Sequence, residues 1–421
     1  MSFFPHGVAA SDRQKTPDKF VGVAPRCGDC GYYKTCNSPK MKPAGSGDVL
    51  VIGDFPDTHS DLVGKSISGA AAALLSRTLS RVGRSTADVV IMNALSCRPD
   101  TTGGEKSTGV AVRHCRPLVR QAIDKYKPKV IIPMGDLAIQ SVIAPFRPPG
   151  DRMAASRWSG YQIPLPPLGA WVCPTVDPKG AALAADGDGS LGGRRTAVPS
   201  ILFDGHVRAA VGKVDDDVTV TDPAKGVSLV GEVRAVRWLD AVVERGGIVA
   251  FDFETTGLKP DLAAQRIVCC SVCYNGNNTI AFMWTPVVQA AMIRLLRSDT
   301  VGKVASNMMF ETRWCMAKLR TRVNRWVWDT MQVAHVLDAR GDDPADGITS
   351  IKFQAFALFG VEPWNGGVDK YLGAAGANAL NRVHEIDQRT LLTYCAIDSR
   401  MEYLVARRQS KMVGVNLEDW R

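Results

Sequence analysis

The chain has 421 residues, 45% hydrophobic and 22% charged, with 51 Lys+Arg against 42 Asp+Glu. That length predicts two or three domains with their own cores, and the composition excludes collagen, coiled coil, wholesale disorder and any apolar run near the roughly 20 residues of a membrane span. Residues 1–213 hold 27 Lys+Arg and 17 Asp+Glu, against 24 and 25 in 214–421, so the basic surplus, and the capacity to bind a polyanion, belongs to the first half.

Residues 1–24 lack periodicity and read as a flexible arm without a signal-peptide pattern. Asp48 to Gly53 is a short apolar run ending at glycine, a buried strand. Ser68 to Val82 reads as a helix capped by Ser68 and closed by Gly83. Asp88–Asn93 is a second strand, 109–126 a helix, Lys129–Gly135 a third strand and Ala170–Pro174 a fourth. Such alternation predicts a mostly parallel sheet covered on both faces, with ligands beyond the carboxyl ends of the strands. The loops after Gly53, Asn93 and Gly135 then face one crevice. Residues 183–197 are rich in Gly and Asp and read as a loop, and 201–211 as a helix. A second α/β pattern comes next: a strand, turn and helix over Val227–Glu244, then strands Gly247–Asp252 and Gln265–Tyr274.

Eleven cysteines are present. Cys27-Gly-Asp-Cys30 precedes the first strand, Cys97 follows the second in Ser96-Cys-Arg-Pro99, and Cys115 lies on the next helix. Inside a cell, thiol clusters read as metal sites more readily than as disulfides, and four thiolates suit a zinc ion or an iron–sulfur cluster. Cys36 is a spare close enough to compete. Cys269, Cys270 and Cys273 sit in an apolar strand, with side chains alternating between faces, and read as packing thiols. The Arg152–Arg157 stretch reads as a candidate phosphate contact, with Trp158 and Trp171 as core.

The C-x-x-C, Val51-Ile-Gly53, Leu62-Val-Gly-Lys65, Ile91-Met-Asn93 running into Cys97-Arg-Pro99, Cys115 and Pro133-Met-Gly135 occur in one particular order. In that order residues 24–212 resemble the iron–sulfur uracil-DNA glycosylases, family 4 and its relatives. The resemblance implies an α/β/α sandwich, DNA as partner and a 4Fe–4S cluster on Cys27, Cys30, Cys97 and Cys115. It also implies a base pocket, and there the sequence departs from the family. Gly53-Asp-Phe-Pro-Asp57 replaces Gly-Glu-Ala-Pro-Gly, so Asp54 keeps the carboxylate. Leu62 stands where the family has a uracil-stacking Phe, and Asp177-Pro178 where it has His-Pro-Ser. Asn93 keeps its type. The pocket reads as degenerate, because an ionised Asp177 would repel the departing base anion that the family's His favours.

Ala250-Phe-Asp-Phe-Glu-Thr-Thr-Gly-Leu258 is the sharpest motif. Asp252 and Glu254 are two apart on a strand and project from one face, and paired carboxylates bind hard divalent cations. Asn307-Met-Met-Phe-Glu311 lies further on, then Tyr394-Cys-Ala-Ile-Asp398, whose Tyr and Asp share a helix face. This order, with Trp328-Asp-Thr-Met331 and Leu337-Asp338 between, resembles the DEDDy 3′–5′ exonucleases over 220–410. The likeness is strongest to the proofreading domains of family A DNA polymerases. It implies a ribonuclease H-like fold, two Mg2+ or Mn2+ ions held by Asp252, Glu254, Glu311 and Asp398, and Tyr394 orienting the attacking water. Glu311 stands where most relatives have Asp. Asp329 and Asp338 are explained by helix capping and surface solvation.

The expectation is two α/β domains: 25–213, glycosylase-like, and 214–421, a 3′–5′ exonuclease on DNA. The setting expected is the cytoplasm of a bacterium or phage-infected host, beside a separately encoded DNA polymerase, with no membrane contact. Two alternatives stand beside it. One is a bifunctional repair enzyme that also excises uracil. The other is a non-catalytic polymerase accessory subunit.

Overall fold

The computed structural model describes residues 24–100, 104–185, 198–338, 340, 347–376 and 378–419. The chain divides into two compact units, Met1–Val218 and Thr219–Arg421. Residue 24 excepted, the expected arm lies outside the described residues. No helix among them is long and apolar enough to cross a membrane.

The first unit is built on five strands: β1 (Val49–Gly53), β2 (Val90–Asn93), β3 (Val130–Pro133), β4 (Ile163–Leu165) and β5 (Ala170–Val172). Their order is β2-β1-β3-β5-β4, all parallel except β4 against β5. Every residue of β1 is buried, as a central parallel strand covered on both faces requires. Val49, Val51, Val130 and Ile132 share one core with helices Gly69–Ser80 and Val198–Val211 through Leu74, Leu75, Leu79, Phe203 and Val207.

Several local expectations change. Ser68 sits at the helix N-cap position but makes no capping bond, because its hydroxyl is engaged with His59 Nδ1 and Ser60 Oγ, both at 2.8 Å. The helix expected over 109–126 begins at Gly104 and runs through Pro117. Proline lacks the helical N–H and disturbs the turn before it. The His114 carbonyl accepts from the Arg26 N–H at 3.2 Å, which pins the Cys27 turn onto this helix. The antiparallel β4 had no sequence signal, being three residues long beside a proline. The start of the expected 183–197 loop is helical, within Pro178–Ala185, and 186–197 lies outside the described residues.

The second unit has six strands: β6 (Val227–Leu229), β7 (Gly247–Thr255), β8 (Ile267–Tyr274), β9 (Asn278–Met283), β10 (Val301–Ala305) and β11 (Trp326–Asp329). The order is β11-β10-β7-β8-β9-β6, with β8 antiparallel to both β7 and β9 and the other pairs parallel. A meander of three antiparallel strands extended by parallel ones is the ribonuclease H-like arrangement. Alternation along β7 sends successive side chains to opposite faces. Val249, Phe251 and Phe253 enter a core with helices Glu232–Arg245 and Pro286–Arg297. Ile248 and Ala250 face Tyr403 and Ala406 of the long helix Gln388–Met412. Asp252 and Glu254 continue that second face, which aims both carboxylates at the C-terminal helix.

Candidate functional site

In the first unit Cys27, Cys30, Cys97 and Cys115 line one small cavity with Arg26, Tyr33 and His114. The arm carrying Cys27 and Cys30 is tied down by buried Asp61. Its carboxylate accepts from Ser38 N–H (2.8 Å), Asn37 N–H (3.0 Å) and Arg98 Nε (3.0 Å). Burial alone would raise the Asp61 pKa, but these donors hold it below the ordinary carboxylate range. Burial pushes the thiols up, Cys97 to about 12 and Cys115 to about 11, and neighbouring thiols add to the rise. Lys40 N–H donates to Cys97 Sγ at 3.2 Å and the Ser96 backbone to Cys115. Four thiols around one cavity, with backbone donors aimed at two of the sulfurs, fit a cationic cluster, whose charge would stabilise them as thiolates. No three of them come within the 4.8 Å that would gather them on one ion. Cys36 lies against Cys97 but does not line the cavity.

The crevice beyond the strand ends gathers Asp54 and Asp177, whose carboxylates repel each other, and Asn93 at the end of β2. Asp54 accepts from Ala138 N–H (2.8 Å) at the start of helix Asp136–Val142. Burial, with Asp177 and Asp136 adding, pushes it up to about 7. Gly135, at φ 98°, passes so close that a Cβ would lie 2.5 Å from this carboxylate. Asn93 donates to Ser66 O (2.6 Å), while its Oδ1 is buried without a hydrogen-bond partner. Lys179 reaches across, donating to Phe55 O (3.1 Å), lying 4.9 Å from the Phe55 ring and 3.7 Å from Asp57. Leu62 is 71% exposed on helix Thr58–Val63. Arg157, a candidate phosphate contact in the sequence, is an internal strut instead. It is 5% exposed, pairs with Asp151 and flanks the fully buried Trp158.

In the second unit donor atoms of Asp252, Glu254 and Cys395 lie within 4.8 Å of one another. Cys395 Sγ donates to Asp252 Oδ2 at 3.8 Å. Asp398, one turn after Tyr394, completes the acidic face. Burial, and then the neighbouring carboxylates, raise Asp252 to about 7 and Glu254 well above its usual range, while burial raises Asp398 against the lowering effect of Lys352, Tyr394 and Trp364. Glu311 points in from helix Met308–Leu319, 2% exposed, with Oε2 lacking a partner. Asp329 sets that helix: its carboxylate accepts from Asn307 N–H (3.1 Å) and Met308 N–H (3.0 Å) while capping its own helix. Capping was its expected part. Cys269, Cys270 and Cys273 are fully buried, as packing thiols should be.

Two charged residues of this site were missed in the sequence. Glu402 is 3% exposed with Oε2 unpartnered, and its carboxyl is raised by burial and then by Asp252 and Glu311. Its signal was available, since it comes four positions after Asp398 on one helix. Lys352 donates to Asp398 Oδ1 (2.5 Å) and to Tyr394 OH (3.0 Å). It belongs to no motif, and only the fold brings it in.

Residues 39–188 match the family model described as the uracil DNA glycosylase superfamily. The type-4 uracil-DNA glycosylase of Pyrobaculum aerophilum is 28% identical over 130 residues, 31% of this chain and 65% of that one. The Archaeoglobus fulgidus counterpart is 28% identical over 127 residues, 30% of this chain and 62% of that one. The chain thus spans less than two thirds of the length of either relative. Among solved structures, the Trypanosoma brucei RRP6 catalytic core has TM-score 0.35 and 16% identity, covering 46% of this chain and 48% of that one. Brucella melitensis NrnC with bound Mg2+ has TM-score 0.29 and 16% identity, covering 40% and 76%. At these scores the structural likeness carries no argument about chemistry, which rests on the residues of the site. The first unit is glycosylase-like, and the second is an α/β unit of ribonuclease H-like topology.

Proposed function

We propose that this protein is a divalent-cation-dependent 3′–5′ exonuclease on DNA whose first unit is a glycosylase-like DNA-binding module carrying a 4Fe–4S cluster. The convergence of Asp252 and Glu254, with the Asp398 charge acting on both and Tyr394 beside it, carries the reading. A structural role does not account for several carboxylates gathered where burial raises the pKa of each.

Asp252 and Glu254, with Asp398 beside them, would hold a divalent cation, whose charge would ease ionisation of water and neutralise the phosphate. Glu311 contributes a further carboxylate from the facing helix. Tyr394, its hydroxyl fixed by Lys352, is placed to orient the attacking water. The water oxygen bonds to phosphorus and passes a proton to the carboxylate cluster. The bond between phosphorus and the 3′ oxygen breaks, and that oxygen takes up a proton. The products are a nucleoside 5′-monophosphate and a strand shortened by one residue with a 3′ hydroxyl. Proofreading or end-trimming beside a separate polymerase, in a bacterial or phage setting, is the biological role we assign to it.

In the first unit the reading is DNA grip without base excision. The Lys179 bridge across the crevice and the enclosed Asp54 support a spent pocket. One observation favours the alternative of active uracil release, the unpartnered Asn93 Oδ1. A single assay tests both: 3′-labelled and uracil-containing oligonucleotides incubated with Mg2+ or Mn2+. Release of mononucleotides from the 3′ end, lost in Asp252→Ala, is expected. Uracil release lost in Asn93→Ala would establish the bifunctional reading, and inertness on every substrate would leave the accessory-subunit reading.

A further inference from the structure

Lys352 is an unusual resident for a site built to hold cations. Its helix, Ile351–Phe359, is fixed against the C-terminal helix by Ile351 and Ala355 packing with Ile397 and Met401. Gln354 adds polar anchors: its Nε2 donates to Thr349 O (2.8 Å), and its Oε1 accepts from Gln409 Nε2 (2.6 Å). The ammonium lies 5.2 Å from the Trp364 ring centroid and 4.9 Å from that of Tyr394. It ends on Asp398 Oδ1 at 2.5 Å and Tyr394 OH at 3.0 Å. The side chain is 24% exposed and that of Asp398 5%. Holding a lysine in one geometry costs side-chain entropy, which its contacts with the Asp398 carboxylate and two rings offset. Its effect on the donors is visible. Asp252 and Glu254 converge with Cys395, whereas Asp398 is not in that converged group among the described residues and is engaged by the ammonium instead.

We propose that Lys352 is a built-in cation filling one of the two cation positions expected of such a site, so that the protein binds a single divalent ion, at Asp252 and Glu254. Lys352 is then a positioning residue, holding Asp398 and the Tyr394 hydroxyl in place of a second metal. This inference rests on the nuclease reading of the second unit.

The test is a Mn2+ titration of the full-length protein at neutral pH, with bound ions counted by the loss of the free-ion paramagnetic resonance signal. One tight Mn2+ is expected in the wild type, two in Lys352→Met and none in Asp252→Asn, which sets the background. Two ions in the wild type, or any count but two in Lys352→Met, overturn the proposal while leaving the nuclease reading intact. No ion in the wild type overturns the nuclease reading with it. If Lys352→Met loses its native circular dichroism, Lys352→Gln, which keeps a donor but not the charge, is counted against the same expectation.

Discussion

Asp54 and Asp252 make a natural pair for comparison. Each lies in or just beyond a central strand, each is enclosed, and burial pushes each up to about 7. Their surroundings differ. Asp54 accepts a backbone N–H at a helix start, beneath a glycine that leaves no room for anything else. Asp252 is repelled by Glu254, Glu311 and Glu402, whose carboxyls burial and mutual repulsion raise, and by Asp398, raised by burial and held by Lys352. A lone enclosed carboxyl relieves its cost by keeping a proton. A cluster cannot do so without giving up its purpose, and its remedy is a cation. The same penalty is met by a backbone donor in one unit and shared among several carboxyls in the other.

The contrast breaks most sharply at Asp252. Asp252→Ala should lower 3′-end hydrolysis by about 10³-fold or more while raising the melting temperature of the metal-free protein, because one repelling charge is gone. Mn2+ affinity in the wild type should fall as pH drops from 8 to 6, since raised carboxyls must lose protons to bind. A metal-free melting temperature lower in the variant would mean that Asp252 is a structural partner after all.

Asp61 tests whether a buried carboxylate can serve structure alone. Removing it in Asp61→Ala leaves Arg98 and two backbone donors unmatched and should cost about 3 kcal/mol in denaturant unfolding of the first unit. Because its folded pKa is lowered, this stability is present at neutral pH and is lost as pH falls below about 4, through the folded pKa. Iron content on purification should drop with it, and an unchanged cluster absorbance would separate the arm from the cysteine cavity.

Asp54 behaves oppositely. Its folded pKa is raised, so the stability that its protonated form contributes is full below about 4 and is lost as pH rises towards 7. Asp54→Asn should flatten that slope and stabilise the protein at pH 8 by on the order of 2 kcal/mol. Equal slopes in the two proteins would show that Asp54 is ionised throughout.

The smallest effect is expected at Lys179. Its ion pair with Asp57 is partly solvated, so Lys179→Ala should change stability by less than about 1 kcal/mol. It should also leave uracil release absent, because Asp177 remains. Excision appearing in this variant would identify the lysine as the sole obstacle.

Local spacing by itself determined much of this protein. Two α/β patterns, the β7 pair Asp252 and Glu254, and the i, i+4 pair Tyr394 and Asp398 were legible because strand and helix periods place side chains on faces without help from distant chain, whereas the four cysteines were grouped only by the family resemblance. Tertiary structure decided the rest. Pro117 is carried inside a helix, and the carbonyl of His114 on that helix is taken by the distant Arg26 N–H. Ser68 loses its cap to His59 and Ser60. Glu402 is exposed or buried according to what packs on the C-terminal helix, which no spacing rule reports. Lys352 comes from a helix 42 and 46 residues away from Tyr394 and Asp398 and meets them only through packing. A charge brought in from a distant segment leaves no periodic trace, and here it is the charge that sets how many cations the site can take.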